Sequence, residues 1–404
     1  MSSRLMKTAL AAVLTCVAAS ATATESRIQS LGGGVKEFTV LDDRNIFALP
    51  AELVKYGTWT AIEIGAPGFT SFAFHYNFSP SVVLAVYGSN ETRDAVTVKA
   101  GGVNVNQSSA AANTGLAGQT HKATILMGFD LGQTRLGAKL GIWGSKDSTS
   151  NKDNDPESDN GPLIINFGFG AGFAIGSSDL DLGLDILYGS PTHIEAAGED
   201  ASTNSQFGIG LLGRLNIPFA GPHEIVPFLK LDMAFANGEL KAEGSSKFSG
   251  TDFDLQAGID IRLNLGDGII VQPGVGLGND HTGVSEDNPN AANDSNPVDT
   301  SYNDFFLFYN VAVDVKVLDW LDLRFGGSQR INFEKVSTTV GGDFDHSNTK
   351  HFVDHKISTG VGFNLPAGFS IDIEVNKDWW KNGPNFITGN QNAFGANAAL
   401  SKDW

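Results

Sequence analysis

The sequence predicts an all-β chain: an antiparallel up-and-down transmembrane β-barrel of about 16 strands (14 as the alternative count), with short periplasmic turns and long extracellular loops. Three observations predict it. Apolar side chains recur at every second position through many runs of about ten residues, the period of a strand and the length that crosses a bilayer when tilted. Charge within those runs is confined to one face, as in Phe253 to Asn264, Phe305 to Val317 and Phe369 to Asn376. Connections alternate between short turns and long polar stretches, a rhythm that a Greek-key sandwich does not keep.

The elements follow in order. Residues 1–23 read as a signal peptide: Arg4 and Lys7, an apolar stretch from Thr8 to Ala19, then the small-x-small site Ala21-Thr22-Ala23. Acylation at Cys16 is the rival, but Leu14-Thr15 lacks the small residue expected before such a cysteine. Residues 24–56 do not alternate and are expected to be a hatch or plug-like segment; a periplasmic tail is the other reading. The barrel is expected over 57–404. Its strands are expected at 57–65, 68–78, 81–89, 121–131, 134–144, 162–176, 179–189, 204–217, 224–235, 251–264, 268–279, 303–317, 320–330, 352–364, 368–377 and 391–404, the first pair being the weakest. Long loops are expected near 90–120, 145–161, 190–203, 236–250, 280–302, 331–352 and 378–390.

Composition narrows the partners. The formal net charge is −18. It falls by two more when Arg4 and Lys7 leave with the leader, so nucleic acid is not an expected partner. Cys16 is the single cysteine, which leaves the mature chain without disulfides or thiolate metal sites. Mean hydropathy near zero excludes a bundle of transmembrane helices but not a barrel, whose strands hide their apolar side chains in alternation.

With lipid outside, strand charges must face the lumen. The lumen lining is therefore expected to include Asp181, Asp185, Arg214, Lys230, Asp232, Asp254, Asp260, Arg262, Asp314, Lys316, Asp354, Lys356, Asp372 and Glu374. Trp59, Trp143, Tyr188, Trp320, Trp379 and Trp380 fall near strand ends, as does Tyr87, and are expected in the interfacial aromatic girdles. Ordinary packing at a sheet margin is the alternative. Arg135, Lys139, Arg214, Lys230, Arg262, Lys316, Arg324 and Lys356 lie within about a strand length of a short turn. They form a basic zone for anions or for docking a plug, or else they only neutralise neighbouring acids.

The closing run Phe394 to Trp404 places apolar residues at every second position and ends on an aromatic, with Lys402 where an apolar residue is usual. This resembles the final strand of bacterial outer-membrane β-barrels of the porin kind. The resemblance implies an assembly signal at Phe394, Leu400 and Trp404, read by the barrel-assembly machinery. Asp42-Asp43-Arg44-Asn45 followed by Pro50-Ala51 is similar to the N-terminal stretch of the long-chain fatty-acid transporter family, with Leu49 where that family has asparagine. That likeness implies a plug inside the lumen built on Asp42, Asp43, Asn45, Pro50 and Ala51.

No nucleophile elbow, zinc-protease helix or phosphate loop is present. His346, His351 and His355 with Asp343, Asp345 and Asp354 lie near one expected loop, and Asp153 to Asp159 lacks the spacing of a calcium loop. Neither is read as a metal site, no cofactor is expected, and the chain is not expected to be an enzyme. The expectation is a Gram-negative outer-membrane channel for passive uptake of small solutes or hydrophobic molecules. Outer-membrane lipid, lipopolysaccharide and the solute are its expected partners. The alternative is a plugged structural or adhesive barrel whose long loops bind a partner.

Overall fold

The computed structural model describes residues 27, 30–31, 39–40, 43–65, 69–91, 99–100, 103–104, 120–145, 163–189, 194–196, 199–241, 246–286, 298–340, 343–375 and 396–403. Sixteen antiparallel staves form one closed ring. They are β1 (Trp59–Gly65), β2 (Phe69–Ser79), β3 (Val82–Glu91), β4 (Thr120–Asp130), β5 (Thr134–Ser145), β6 (Leu163–Ile175), β7 (Ser178–Gly189) and β8 (Glu199–Phe219). The ring continues with β9 (His223–Lys241), β10 (Ser246–Asn264), β11 (Ile269–Glu286), β12 (Val298–Leu318), β13 (Leu321–Val340), β14 (Asp343–Leu365), β15 (Phe369–Val375) and β16 (Ala396–Asp403). Each stave pairs with the next, and β1 closes on β16 with Trp59 opposite Asp403 and Ile64 opposite Ala398. A short strand, Ile194–Ala196, adds to β8, and a two-residue ladder joins Lys99–Ala100 to Val103–Asn104.

Alternation sets which way each side chain points. Along β12, Phe305, Leu307, Tyr309 and Val311 are exposed while Asp304, Phe306, Phe308, Asn310 and Ala312 are buried. A buried Asp beside an exposed Leu is inverted for a water-soluble sheet and correct for one facing lipid. The outward apolar positions run from Phe253 to Leu263 on β10, with Ile259 the exposed one among them. Ten residues at about 3.3 Å each, tilted by about 40°, give an apolar band about 25 Å tall. A lysine placed in that band, as in Leu307→Lys, is expected to cost about 2–4 kcal/mol, measured by urea unfolding in lipid vesicles.

The band has exceptions on neighbouring staves: Gln329 and His355 face outward beside Tyr309. Lys402 also faces outward, near the periplasmic margin, with its ammonium 5.1 Å from the Phe369 ring centre.

The long staves correct several expected loops. Residues 236–241, 246–250, 280–286, 298–302, 331–340 and 343–352 are strand. Above the membrane both faces of the sheet meet water, so these stretches carry no apolar alternation although their ladders persist. The histidine cluster is dispersed for the same reason. His351 and His355 face outward on β14, while Asp354 points inward and accepts from Asn332 at 3.0 Å. The side chains of Asp343, Asp345 and His346 lie outside the described residues.

Candidate functional site

The site is the inner wall near the short turns, together with the N-terminal segment packed on it. Asp43–Phe47 and Pro50–Lys55 are two short 3-10 segments. Pro50 fits the start of the second, where no backbone N–H is required. Leu49 is fully buried among Leu212, Phe228, Phe306 and Phe308. Ile46 and Leu53 are fully buried with Val83, Ala85 and Leu126. Each such side chain contributes about 1.5–3 kcal/mol of burial.

Glycines on the wall make the approach possible. A Cβ on Gly137 would collide with the carbonyl of Pro50, and one on Gly170 would lie 2.6 Å from the amide nitrogen of Ala51. The carbonyl oxygen of Ala48 occupies the space above Gly183. These close approaches explain why inward positions of β5, β6 and β7 carry glycine.

Upstream residues meet the opposite wall. Arg27 pairs with Asp314 at 3.2 Å. Leu31 and Val40 pack with Ala312. Thr39 donates its hydroxyl to Asp260 at 2.6 Å, and its carbonyl accepts from Arg262 at 2.9 Å. Asn45 is fully buried and donates to the carbonyl of Val40 at 2.6 Å. Of the residues expected in the plug, Asn45, Pro50 and Ala51 therefore lie inside the lumen. The side chain of Asp43, and Asp42 altogether, lie outside the described residues.

One ionic knot fastens the second 3-10 segment. Arg214, completely buried, pairs with Glu52 at 2.8 Å and with Asp181 at 3.0 Å. Arg135 pairs with Asp179 at 2.5 Å and Asp181 at 3.0 Å. Lys55 reaches Asp179 at 2.7 Å and also pairs with Glu52. Glu52, Asp179 and Asp181 lie close enough to hold a cation, but Lys55, Arg135 and Arg214 already neutralise them. Lys139 donates to the carbonyl of Phe47 at 2.5 Å and pairs with Asp185 at 2.7 Å.

Burial raises the carboxyl pKa of Glu52, but Arg214 and Lys55 outweigh it and hold the group below its ordinary 4.5. A pKa lowered on folding stabilises the docked state fully above about 4.5, and that contribution fades only as pH falls through the lowered value. The Glu52 contribution to docking is therefore expected to be lost under strong acid, below about pH 4.5. The rate at which a cysteine at Ala51 reacts with a pH-tolerant thiol reagent checks this.

The remaining expected lumen residues sort as follows. Lys230 pairs with Asp232 at 2.5 Å and Asp254 at 3.5 Å. Arg262 pairs with Glu224, and Arg324 with Asp372. Lys356 and Glu374 share the inner face by register. Lys316 sits half-exposed at the mouth, paired with Asp319 at 3.1 Å. The bases near the short turns are thus neutralised by acids, and Arg214, Lys139 and Arg262 also hold the N-terminal segment.

Trp59 corrects the girdle assignment. It is buried inside the barrel and stacks on His75 at 4.3 Å. Tyr87 is inside as well, bonded to His75 at 2.7 Å and edge-on to Phe47 at 4.6 Å. Outside, Tyr188 and Trp320 are half-exposed, and Trp320 stacks on Phe363 at 6.3 Å. Among the described residues, the extracellular margin carries phenylalanine pairs: Phe305 with Phe333, and Phe207 with Phe235. The side chains of Trp143, Trp379, Trp380, Phe394 and Trp404 lie outside the described residues, and Leu400 is exposed on the lipid face.

Ring, apolar band and inward charge together define a transmembrane β-barrel with the architecture of outer-membrane proteins. No family model matches the chain, and no curated protein matches it. Among solved structures it is similar to the Ralstonia pickettii toluene transporter TbuX, at 11% identity over 89% of this chain and 93% of that one, TM-score 0.39. It is also similar to the ferric yersiniabactin uptake receptor FyuA of Yersinia pestis, at 9% identity over 86% and 80%, TM-score 0.37. A third is the alcaligin outer membrane receptor FauA of Bordetella pertussis, at 8% identity over 86% and 75%, TM-score 0.39. The fold rests on the chain's own ladders and not on these distant likenesses.

Proposed function

We propose that the protein is an outer-membrane transport conduit whose own N-terminal segment acts as a hatch at the periplasmic end. One observation carries the reading: the described residues of the N-terminal segment, Arg27, Thr39, Phe47 and Glu52 among them, lie on the inner wall near the short turns and are bonded to side chains from both halves of the ring. The lumen offers two chemistries. Phe228, Phe306 and Phe308 provide an aromatic wall that Leu49 of the segment covers, with the Arg330 guanidinium 3.5 Å from the Phe306 ring centre. Asp232, Asp254, Asp280, Asp304, Glu334 and Asp354 provide acid on the same inward face. Cargo with an apolar body and a cationic end suits both, by burial of the body and by long-range attraction of the charge. The hatch then sets passage, and no catalysis or cofactor enters this reading.

Proteoliposome uptake tests the cargo assignment. An aromatic amine is expected to enter several-fold faster than a size-matched aromatic carboxylate, and Asp304→Asn with Asp354→Asn is expected to shrink the difference. Equal rates for amine and carboxylate would overturn it.

A further inference from the structure

The outer wall of β10 to β14 changes character row by row where it leaves the apolar band. Phe305 and Phe333 form one aromatic row, and Phe253 stands one row higher, opposite His281. That higher row places His281, Asn303 and Lys335 side by side on adjacent staves, all exposed. The next is made of small residues: Thr251, Gly283, Ser301 and Ser337. Thr251, Gly283 and Ser301, with Ser249, Ser285 and Asp299, line a depression of about 270 Å³. A Cβ added at Gly283 would lie 3.2 Å from the Thr251 hydroxyl, a tight approach, so the glycine keeps this part of the depression free of a further side chain.

The cation at this height is not a general feature of the wall. Among side chains described, Lys335 and Lys402 are the lysines that face outward, no arginine does, and Lys402 lies at the opposite, periplasmic margin. On the neighbouring staves β8 and β9, the outward position above Phe207 is Ser205 and that above Phe235 is Asn237. A lysine beside an amide, with an imidazole one stave further along the row, thus stands on one sector, at the level where headgroup phosphates of the outer leaflet lie. Directly above it is a concave surface lined mainly by Ser, Thr and Gly, with Asp299 and Val284.

We infer that this sector binds a phosphorylated glycolipid of the outer leaflet. Lys335, with His281 and Asn303, takes the phosphate, and the depression beside Gly283 and Ser301 takes the sugars that follow it. The sector faces away from the lumen, so the assignment is independent of what passes through the barrel.

The test titrates the full chain in detergent with diphosphoryl lipid A, with phosphate-free lipid A and with lipopolysaccharide bearing core sugars, read by native mass spectrometry. Heat-modifiable gel mobility confirms that each variant is a closed barrel. Lys335→Ala is expected to weaken binding of diphosphoryl lipid A about five-fold, the effect of one lysine near an anionic surface. Lys402→Ala is expected to leave it unchanged. Ser301→Trp, which fills the depression, is expected to weaken the core-bearing form and spare lipid A. The inference is overturned if the two lysine variants bind alike, if phosphate-free lipid A binds as well as the diphosphoryl form, or if millimolar inorganic phosphate displaces the lipid completely. Equal binding of the core-bearing form by wild type and Ser301→Trp would overturn the sugar site.

Discussion

Replacing Arg214 with leucine is expected to cost about 3–5 kcal/mol, because it strands buried carboxylates whose shared partner is gone. Glu52 and Asp181 are both buried against this one guanidinium, and Arg135 and Lys55 sit on the outer side of the knot. The loss falls on the hatch first: Asp181 keeps Arg135, whereas Glu52 keeps only the partly exposed Lys55. The expected phenotype is a closed barrel with a loosened N-terminal segment, seen as faster proteolysis ahead of residue 57 and a lower unfolding midpoint. Replacing the set together, with Glu52→Gln and Asp181→Asn added to Arg214→Leu, is expected to recover most of the loss, since no charge then remains unpaired. A triple variant as unstable as the single one would show that shape, not charge, holds the segment.

Gly137→Val is expected to expel the hatch while leaving the ring intact. The new Cβ meets backbone, the Pro50 carbonyl and the Ala51 amide, which cannot rotate aside as a side chain does. Valine itself suits a strand, so β5 has no reason to fail. The mature chain is expected to lack cysteine, so a single Ala51→Cys is a clean reporter. Ala51 is 1% exposed; a cysteine there is expected to be inert to a polar maleimide in the parent and to react at least tenfold faster beside Gly137→Val. Equal reactivity would place residue 51 outside the lumen.

Much of this was legible because strand parity is unforgiving. Asp260 and Asp314 had to share the inner face once Ile259 and Val313 were placed outside, and the short-turn ends of the staves fall within a few residues of where alternation put them. Parity also contained the answer that was missed for Trp59. It shares a face with Glu63, not with Ile62 and Ile64, so nearness to a strand end was the weaker guide. The stave extensions above the membrane were not legible, since a ladder between two wet faces leaves no hydrophobic signature. Glu52 was invisible for another reason. An acid in Pro50-Ala-Glu-Leu-Val-Lys55 reads as a solvated side chain until Arg214, far along the sequence, is known to lie against it.

Single-channel conductance in planar bilayers, comparing the full mature chain with one lacking residues 24–56, tests the hatch most directly. The full chain is expected to give little steady current, and the shortened one a large, stable conductance with preference for cations. Equal currents from the two would contradict the hatch. Silence from both would leave a barrel that does not conduct, with its extracellular loops as the working part.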